Sequence, residues 1–278
     1  MVALSIKLKK TQGNPFTQQN VFLINQSNFL FTMIHALKNY LKQNFFSSSI
    51  REKNPEEAYN IWAKNYDAQP GNLMLDIDEM MLEKLLKNTS VSNRRIADIG
   101  CGTGRHWLRI LAEKPSELVG FDISEGMLMR LKEKFPQANT KRITNDLFSD
   151  IPDNSFELII STLTLAHIKD IVPALGAWAR ILKDKSEILI TDFHPKTLAS
   201  GGKRTFISEK KLIAVQNFVH HTDHIKQVLS QHGFSLLSEE NIHIDERFRH
   251  YYENKDAMKV YEAYKGFPIL YGLHFKRS

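Results

Sequence analysis

The chain has one cysteine among its 278 residues, Cys101. A lone thiol cannot close an internal disulfide or supply a thiolate metal site, so the fold must rest on an apolar core, and a reducing, cytoplasmic compartment is expected. Long apolar runs are missing too. The richest stretches, VFLI and FLFTMI, are separated by Asn25, Gln26, Ser27 and Asn28, well short of the roughly 18 apolar residues that a membrane span needs. No small-residue cleavage site follows them, so no signal peptide is expected. Acid is absent from residues 1–50, which hold Lys7, Lys9, Lys10, Lys38 and Lys42, whereas residues 51–278 carry 32 basic and 31 acidic side chains. Nearly all of the +6 net charge therefore lies at the start of the chain, and the body lacks the basic stripe of a nucleic-acid binder. There is no internal repeat.

What is present divides into two parts. Residues 1–50 read as a basic, acid-free N-terminal extension rich in Asn and Gln, with Met33, Ile34, Leu37, Leu41 and Phe45 at helical spacing. Residues 51–278 read as one domain. Its text is punctuated: a helix capped by Asn54 with Pro55 at its first position, a second helix from about Leu73 to Lys87, then an alternation of strand and helix. RRIADIG, ELVGFDIS, TKRITND, FELIIST and SEILITDF are expected strands; RHWLRILAE, SEGMLMRLKEKF behind Ser124, and DIVPALGAWARILK are expected helices. This order predicts a doubly wound, mostly parallel α/β sheet of seven strands with helices on both faces. After Phe193 the rhythm changes to a polar loop (HPKTLASGGKRTF), a strand or hairpin (KLIAVQNFVH), a helix from Thr222 to Gln231, the strand FSLLSEENIHI and a last strand near PILYGLHFK. The strand–helix alternation is expected to make one half at about 91–193, with insertions at about 194–222 and 243–266.

The first strand-to-helix turn, ADIGCGTGRH, holds glycine at 100, 102 and 104. Ligands of such sheets sit at this turn, where missing Cβ atoms let the backbone approach closely. The dinucleotide spacing G-x-G-x-x-G fails here, because its last position falls on Arg105 or Trp107. The sequence instead reads D-x-G-x-G-x-G, and Asp98 beside the turn favours a ligand with positive charge, since a pyrophosphate would be repelled.

Asp98 through Gly104 resembles motif I of the class I S-adenosylmethionine-dependent methyltransferases, and the resemblance runs from about Tyr59 to Ile190. Tyr59 to Asp67 is similar to the aromatic N-terminal helix of the ubiquinone/menaquinone-biosynthesis-type (methyltransferase type 11-like) branch. The resemblance implies S-adenosylmethionine as cofactor, held by Asp98, Gly100, Cys101, Gly102 and Gly104. It implies that Asp122, with Ile123 and Met127 beside it, accepts both ribose hydroxyls. Asn145, Asp146 and Leu147 would meet the adenine, Asp146 taking its amino group, and Ser161 would stand by the methionine part. Tyr59 and Tyr66 would close over the cofactor, although Tyr59, Trp62 and Tyr66 at helical spacing suit core packing equally well.

Methyl transfer from a sulfonium is an in-line displacement in which alignment contributes on the order of 7–11 kcal/mol. A base is required only for a protonated acceptor, and His167 and His194, after the fourth and fifth strands, are the expected catalytic bases; loop histidines are also commonly solvated or bound to backbone. His220 and His224 would not share a helical face, so no metal site is expected. Arg204 either pairs an acidic substrate or is a solvated loop residue. The expected function is methyl transfer to a small-molecule acceptor, with no nucleic-acid partner. Ser161-Thr162-Leu163-Thr164 stands where amino-methylating DNA enzymes carry Asp/Asn-Pro-Pro-aromatic. An RNA or other macromolecule methyltransferase, a non-catalytic S-adenosylmethionine-binding protein and a dinucleotide oxidoreductase are the alternatives. The oligomeric state is not legible.

Overall fold

Four apolar runs, IADI, LVGFD, ELIIS and EILITDF, become the centre of a seven-stranded sheet buried on both faces, as near-continuous β-branched and aliphatic runs require. The structure is a computed structural model and describes residues 51–69 and 71–278; the basic extension, with its helically spaced stripe, lies outside the described residues.

In chain order, β1 (Arg51–Lys53) leads to α1 (Pro55–Trp62), where the Asn54 side chain accepts from the Glu57 N–H at 2.9 Å. The elements that follow are α2 (Leu73–Leu86), β2 (Arg95–Ile99), α3 (Trp107–Ala112), β3 (Glu117–Asp122) and α4 (Glu125–Lys134), the last capped by Ser124. β4 (Asn139–Arg142) and β5 (Phe156–Thr162) precede α5 (Ile171–Ile181), which Asp170 caps. β6 (Leu182–Phe193) then leads through α6 (Pro195–Ala199) to β7 (Thr205–Ser208) and β8 (Lys211–Val215). α7 (Thr222–Gln231), β9 (Phe234–His243), α8 (Arg249–Glu253), α9 (Met258–Tyr264) and β10 (Pro268–Arg277) complete the chain.

The sheet order is β4-β3-β2-β5-β6-β10-β9. All neighbours are parallel except β10, which runs antiparallel to both β6 and β9. The chain winds outward from β2 to β4, then returns to the other side of β2 at β5. The crevice at the carboxyl end of β2 is thus the point where strand order reverses. One face is sealed by a core containing Trp107, Met81 and Leu85, the other by one containing Trp178, Phe121 and Phe275. The doubly wound seven-stranded expectation holds.

Two stretches differ from expectation. α5 ends at Ile181 and β6 begins at once, four residues before the expected SEILITDF. HPKTLASGGKRTF is not a plain loop: His194 and Pro195 start the one-turn helix α6, Pro occupying the first position where its missing N–H costs nothing, and Thr205 opens β7. β7 and β8 form a hairpin, and β1 adds parallel to β8, making a small second sheet. That sheet rests on α1 through a stacked pair, Trp62 and Phe206, with ring centroids 4.5 Å apart.

Candidate functional site

The carboxyl ends of β2, β3, β4 and β5, roofed by α1, enclose a cavity of about 320 Å³, within the size range of small-molecule sites. Of the residues expected at the site, Tyr59, Tyr66, Asp98, Gly100, Cys101, Gly102, Asp122, Ile123, Met127, Asn145, Asp146 and His167 line it. Gly104, Leu147, Ser161 and His194 do not. Gly104 serves packing at a positive φ of 71°, where a Cβ would come within 2.9 Å of Leu131 Cγ. Ser161 Oγ donates to the Ile99 carbonyl at 3.0 Å and joins β5 to the end of β2. The Leu147 side chain is exposed, and its N–H donates to Asn145 Oδ1, so the Asn145 side chain is engaged in a turn. His194 caps α6, its Nδ1 accepting from the Lys196 N–H at 3.2 Å; burial, together with the charge of Lys196, lowers its pKa to about 4.

The glycine bend is tied to the neighbouring strand: the N–H groups of Gly100 and Cys101 both donate to the Phe121 carbonyl, at 2.7 and 3.1 Å. Gly100 has φ of 74°, and a Cβ there would lie 2.0 Å from Thr164 Oγ1. Only glycine fits that contact. Thr164 follows Leu163, a non-glycine residue at φ of 52° that also lines the cavity; backbone held in this costly region is a feature of ligand sites.

Asp122, at the end of β3, accepts from the Gly102 N–H at one oxygen and from the Ser124 N–H at the other, each at 2.8 Å. Each oxygen keeps further acceptor capacity. Burial raises the Asp122 pKa to about 6 despite these bonds. Burial likewise raises Asp98 to about 6, opposed by the Trp107 indole N–H that donates to its Oδ2 at 2.7 Å. Asp146 is raised by burial. Buried acids of this kind are disfavoured in their charged form until a cation or hydroxyl donors meet them.

The roof is latched at both ends. Asn60 Oδ1 accepts from Ser124 Oγ and from the Gly126 N–H, and Glu56 pairs with Arg142 at 2.6 Å. Tyr59 stacks on Trp62 and donates its hydroxyl to His167 Nε2 at 2.9 Å. Trp62 is buried in the core, whereas Tyr66, just beyond α1, is buried and also lines the cavity, so both readings of the aromatic spacing apply. His167 Nδ1 donates to the Gln216 carbonyl, and burial lowers its pKa to about 4.

Sequence reading missed a buried ionic cluster beside the bend. Asp78, fully buried on α2, accepts from Arg105, from His106 Nε2 at 3.0 Å and from Thr191 Oγ1. Burial opposes its ionisation, but these partners hold its carboxyl well below the usual range. The available signal was an acid within the apolar stripe Ile77, Met81, Leu82 and Leu85. Also missed was Asp192, at the end of β6, which burial raises to about 7 while it accepts from the Ala166 and Phe193 N–H groups. Arg204 is not a solvated loop residue: it is 5% exposed. His220 donates to the Ile168 carbonyl at 2.7 Å, and no metal-binding group of acids, histidines or cysteine occurs among the described residues. No described helix is long and apolar enough to cross a membrane.

A doubly wound sheet whose switch-point crevice holds a glycine bend between two buried acids defines an α/β protein with a candidate ligand site at the carboxyl ends of its strands. Residues 97–190 match the family described as "Methyltransferase domain". Among curated relatives, a malonyl-[acyl-carrier protein] O-methyltransferase of Halorhodospira halophila is 28% identical over 155 residues, 55% of this chain and 52% of the relative. A tRNA U34 carboxymethyltransferase of Helicobacter pylori is 30% identical over 141 residues, 46% of this chain and 53% of the relative. The chain thus spans about half the length of these relatives. Among solved structures, an S-adenosylmethionine-dependent methyltransferase from Mesorhizobium loti has the same fold at TM-score 0.55 and 19% identity, covering 70% of this chain and 96% of that one. The [4+2]-cyclase SpnF does so at TM-score 0.60 and 16% identity, covering 83% and 99%.

The residues present suit the cofactor that the family implies. Asp122 offers two oxygens with acceptor capacity left for a diol, the bend leaves no Cβ at Gly100 or Gly102, and the two acids suit a cationic ligand.

Proposed function

We propose that the chain transfers a methyl group from S-adenosylmethionine to a small-molecule acceptor. The observation that carries this reading is Asp122, whose carboxylate both locks the glycine bend through the Gly102 N–H and turns its remaining acceptor capacity to the cavity that it lines. When bound, S-adenosylmethionine supplies a methyl group already activated on a sulfonium, so the transfer is an in-line displacement. The chain's part is to bind, align and exclude water. Asp122 would hold the ribose hydroxyls, Asp146 the adenine amino group, and Asp98 with the bend at 100–102 the amino-acid end. Tyr59, on α1, and Tyr66, just beyond its end, would close the cavity from above. Of the two expected bases, His167 borders the cavity and meets Tyr59, whereas His194 caps α6 outside it.

A small acceptor agrees with a cavity of about 320 Å³ under a latched roof, and with the near-neutral charge of residues 51–278. A cytoplasmic location belongs to the same reading, through the single buried Cys101. The tRNA-modifying relative keeps a macromolecular acceptor as the second reading. Calorimetric titration with S-adenosylmethionine, S-adenosylhomocysteine and NADH tests the first step: binding of the first two and not the third is expected, and the reverse refutes it. An acceptor screen with labelled methyl donor follows, with tRNA as one arm. Label entering tRNA but no small molecule would replace the first reading by the second.

A further inference from the structure

At the entrance to β7 the chain buries a positive charge and leaves it without a counter-ion. Arg204 Nη2 donates to Tyr66 Oη at 2.7 Å, but Nε and Nη1 are buried with no hydrogen-bond partner. The guanidinium lies 5.2 Å from the Trp62 ring centre and 5.5 Å from that of Tyr66. No ion pair among the described residues includes it. The two carboxylates that act on it through space, Asp78 and Asp192, are already satisfied by other donors.

Aromatic faces and one neutral hydroxyl do not repay the desolvation of a guanidinium, which demands an anion with matching acceptors. The hydroxyl that holds Nη2 belongs to Tyr66, which lines the cavity, so the arginine, itself not part of the lining, is one side chain removed from it. A cationic acceptor would meet an unpaired like charge there.

We propose that Arg204 is the acceptor-recognition group of this site and that the acceptor bears a carboxylate, which pairs with the unsatisfied guanidinium donors beside Tyr66. The proposal rests on the methyltransferase reading and narrows it to anionic small molecules. A carboxylate acceptor also enters already ionised near neutral pH.

The test uses the whole protein saturated with S-adenosylhomocysteine, with malonate and succinate as probes and dimethyl malonate and malonamide as neutral controls, followed by calorimetry and thermal melting. The dicarboxylates bind and raise the melting temperature, and the neutral compounds do not. Arg204→Met weakens dicarboxylate binding by at least about tenfold, keeps S-adenosylhomocysteine affinity within about twofold, and melts without ligand no lower than the wild type, because an unpaired buried charge has been removed. Arg204→Lys recovers part of the dicarboxylate response. The inference is overturned if wild-type protein holding S-adenosylhomocysteine ignores both dicarboxylates, if Arg204→Met responds as the wild type does, or if that variant melts well below it, which would make the arginine a packing element. Failure of S-adenosylhomocysteine to bind overturns the methyltransferase reading alone; the same titrations without it then decide the Arg204 site separately.

Discussion

The Tyr59 hydroxyl lies 2.9 Å from His167 Nε2, and the other ring nitrogen of that histidine lies 2.8 Å from the Gln216 carbonyl oxygen. A carbonyl only accepts, so Nδ1 carries the proton and Nε2 receives the tyrosine's. Both groups are held neutral: burial raises the tyrosine and lowers the histidine to about 4. Moving a proton from Tyr59 to His167 would create two buried charges, so the pair is a poor proton sink and a good rigid wall. His167→Gln is therefore expected to lower kcat by less than about tenfold, whereas loss of a general base costs about 10²–10⁴-fold. The histidine is neutral above about pH 4, so it contributes no limb to a kcat profile between pH 5 and 8. A limb near pH 6 that vanishes in His167→Gln would contradict this.

Cofactor affinity should itself depend on pH. Asp98 and Asp122 titrate near 6 in the free protein, raised by burial, and a cationic nucleoside favours their ionised forms. Affinity for S-adenosylmethionine then rises from pH 5 to 7 and levels off above, with protons released on binding near pH 5.5. Stability without ligand moves the other way: each acid binds its proton more tightly folded than unfolded, so their contribution falls as pH rises from about 4 to 6. Asp122→Asn should weaken binding about 10- to 100-fold, as expected for lost hydrogen bonds to a charged group, and flatten the pH dependence. Calorimetry in two buffers of different ionisation enthalpy counts the protons; no release near pH 5.5 would count against the raised values.

The contact between Gly100 and Thr164 predicts a partial rescue. Gly100→Ala adds a Cβ at a φ of 74°, costing about 1–2 kcal/mol in backbone strain, and drives it into the threonine side chain, adding about 1–3 kcal/mol of overpacking. Thr164→Ala removes the Oγ1 and Cγ2 contacts but keeps the Cβ, 2.8 Å from the added atom, so it relieves only part of the second contribution. In chemical denaturation the double variant should regain about 1 kcal/mol or more over Gly100→Ala and remain below the wild type. Full recovery would show that the φ at Gly100 is not strained for alanine.

What was legible in the sequence was local. The caps at Asn54 and Ser124, the apolar strands and the D-x-G-x-G-x-G turn each follow from side chains within a few positions of one another, and they carried the fold and the Asp98–Asp122 half of the candidate site. The opposite side of the cavity depends on contacts that chain winding creates: Tyr59 meets His167 across 108 positions and Arg204 meets Tyr66 across 138. Spacing could place His167 and His194 after adjacent strands, but not show that Pro195 would turn the second into a helix cap.

Asp78 anchors the segment that follows the glycine bend, and its removal should be felt in stability first. Its carboxylate is fully buried and is shared by Arg105, His106 and Thr191. The His106 pKa is raised: burial and Arg105 oppose its charge, and bonding to Asp78 and Glu79 outweighs them. Asp78→Asn leaves two cationic groups facing a neutral amide that also offers hydrogens toward them, and breaking a buried pair in this way costs about 3–5 kcal/mol. The folded-state pKa of His106 lies above its unfolded value, so its share of stability is complete below about pH 6.5 and is lost as pH rises through the folded value; Asp78→Asn should shrink that fall, leaving the part that Glu79 supports. Denaturation of both proteins at pH 6 and pH 9 measures it: a wild-type midpoint falling with pH over this range and a variant midpoint falling much less are expected, and parallel falls would place the titration elsewhere. Arg105 and His106 both line the cavity, so a variant that folds but binds S-adenosylhomocysteine more weakly would trace the loss to a bend freed from α2.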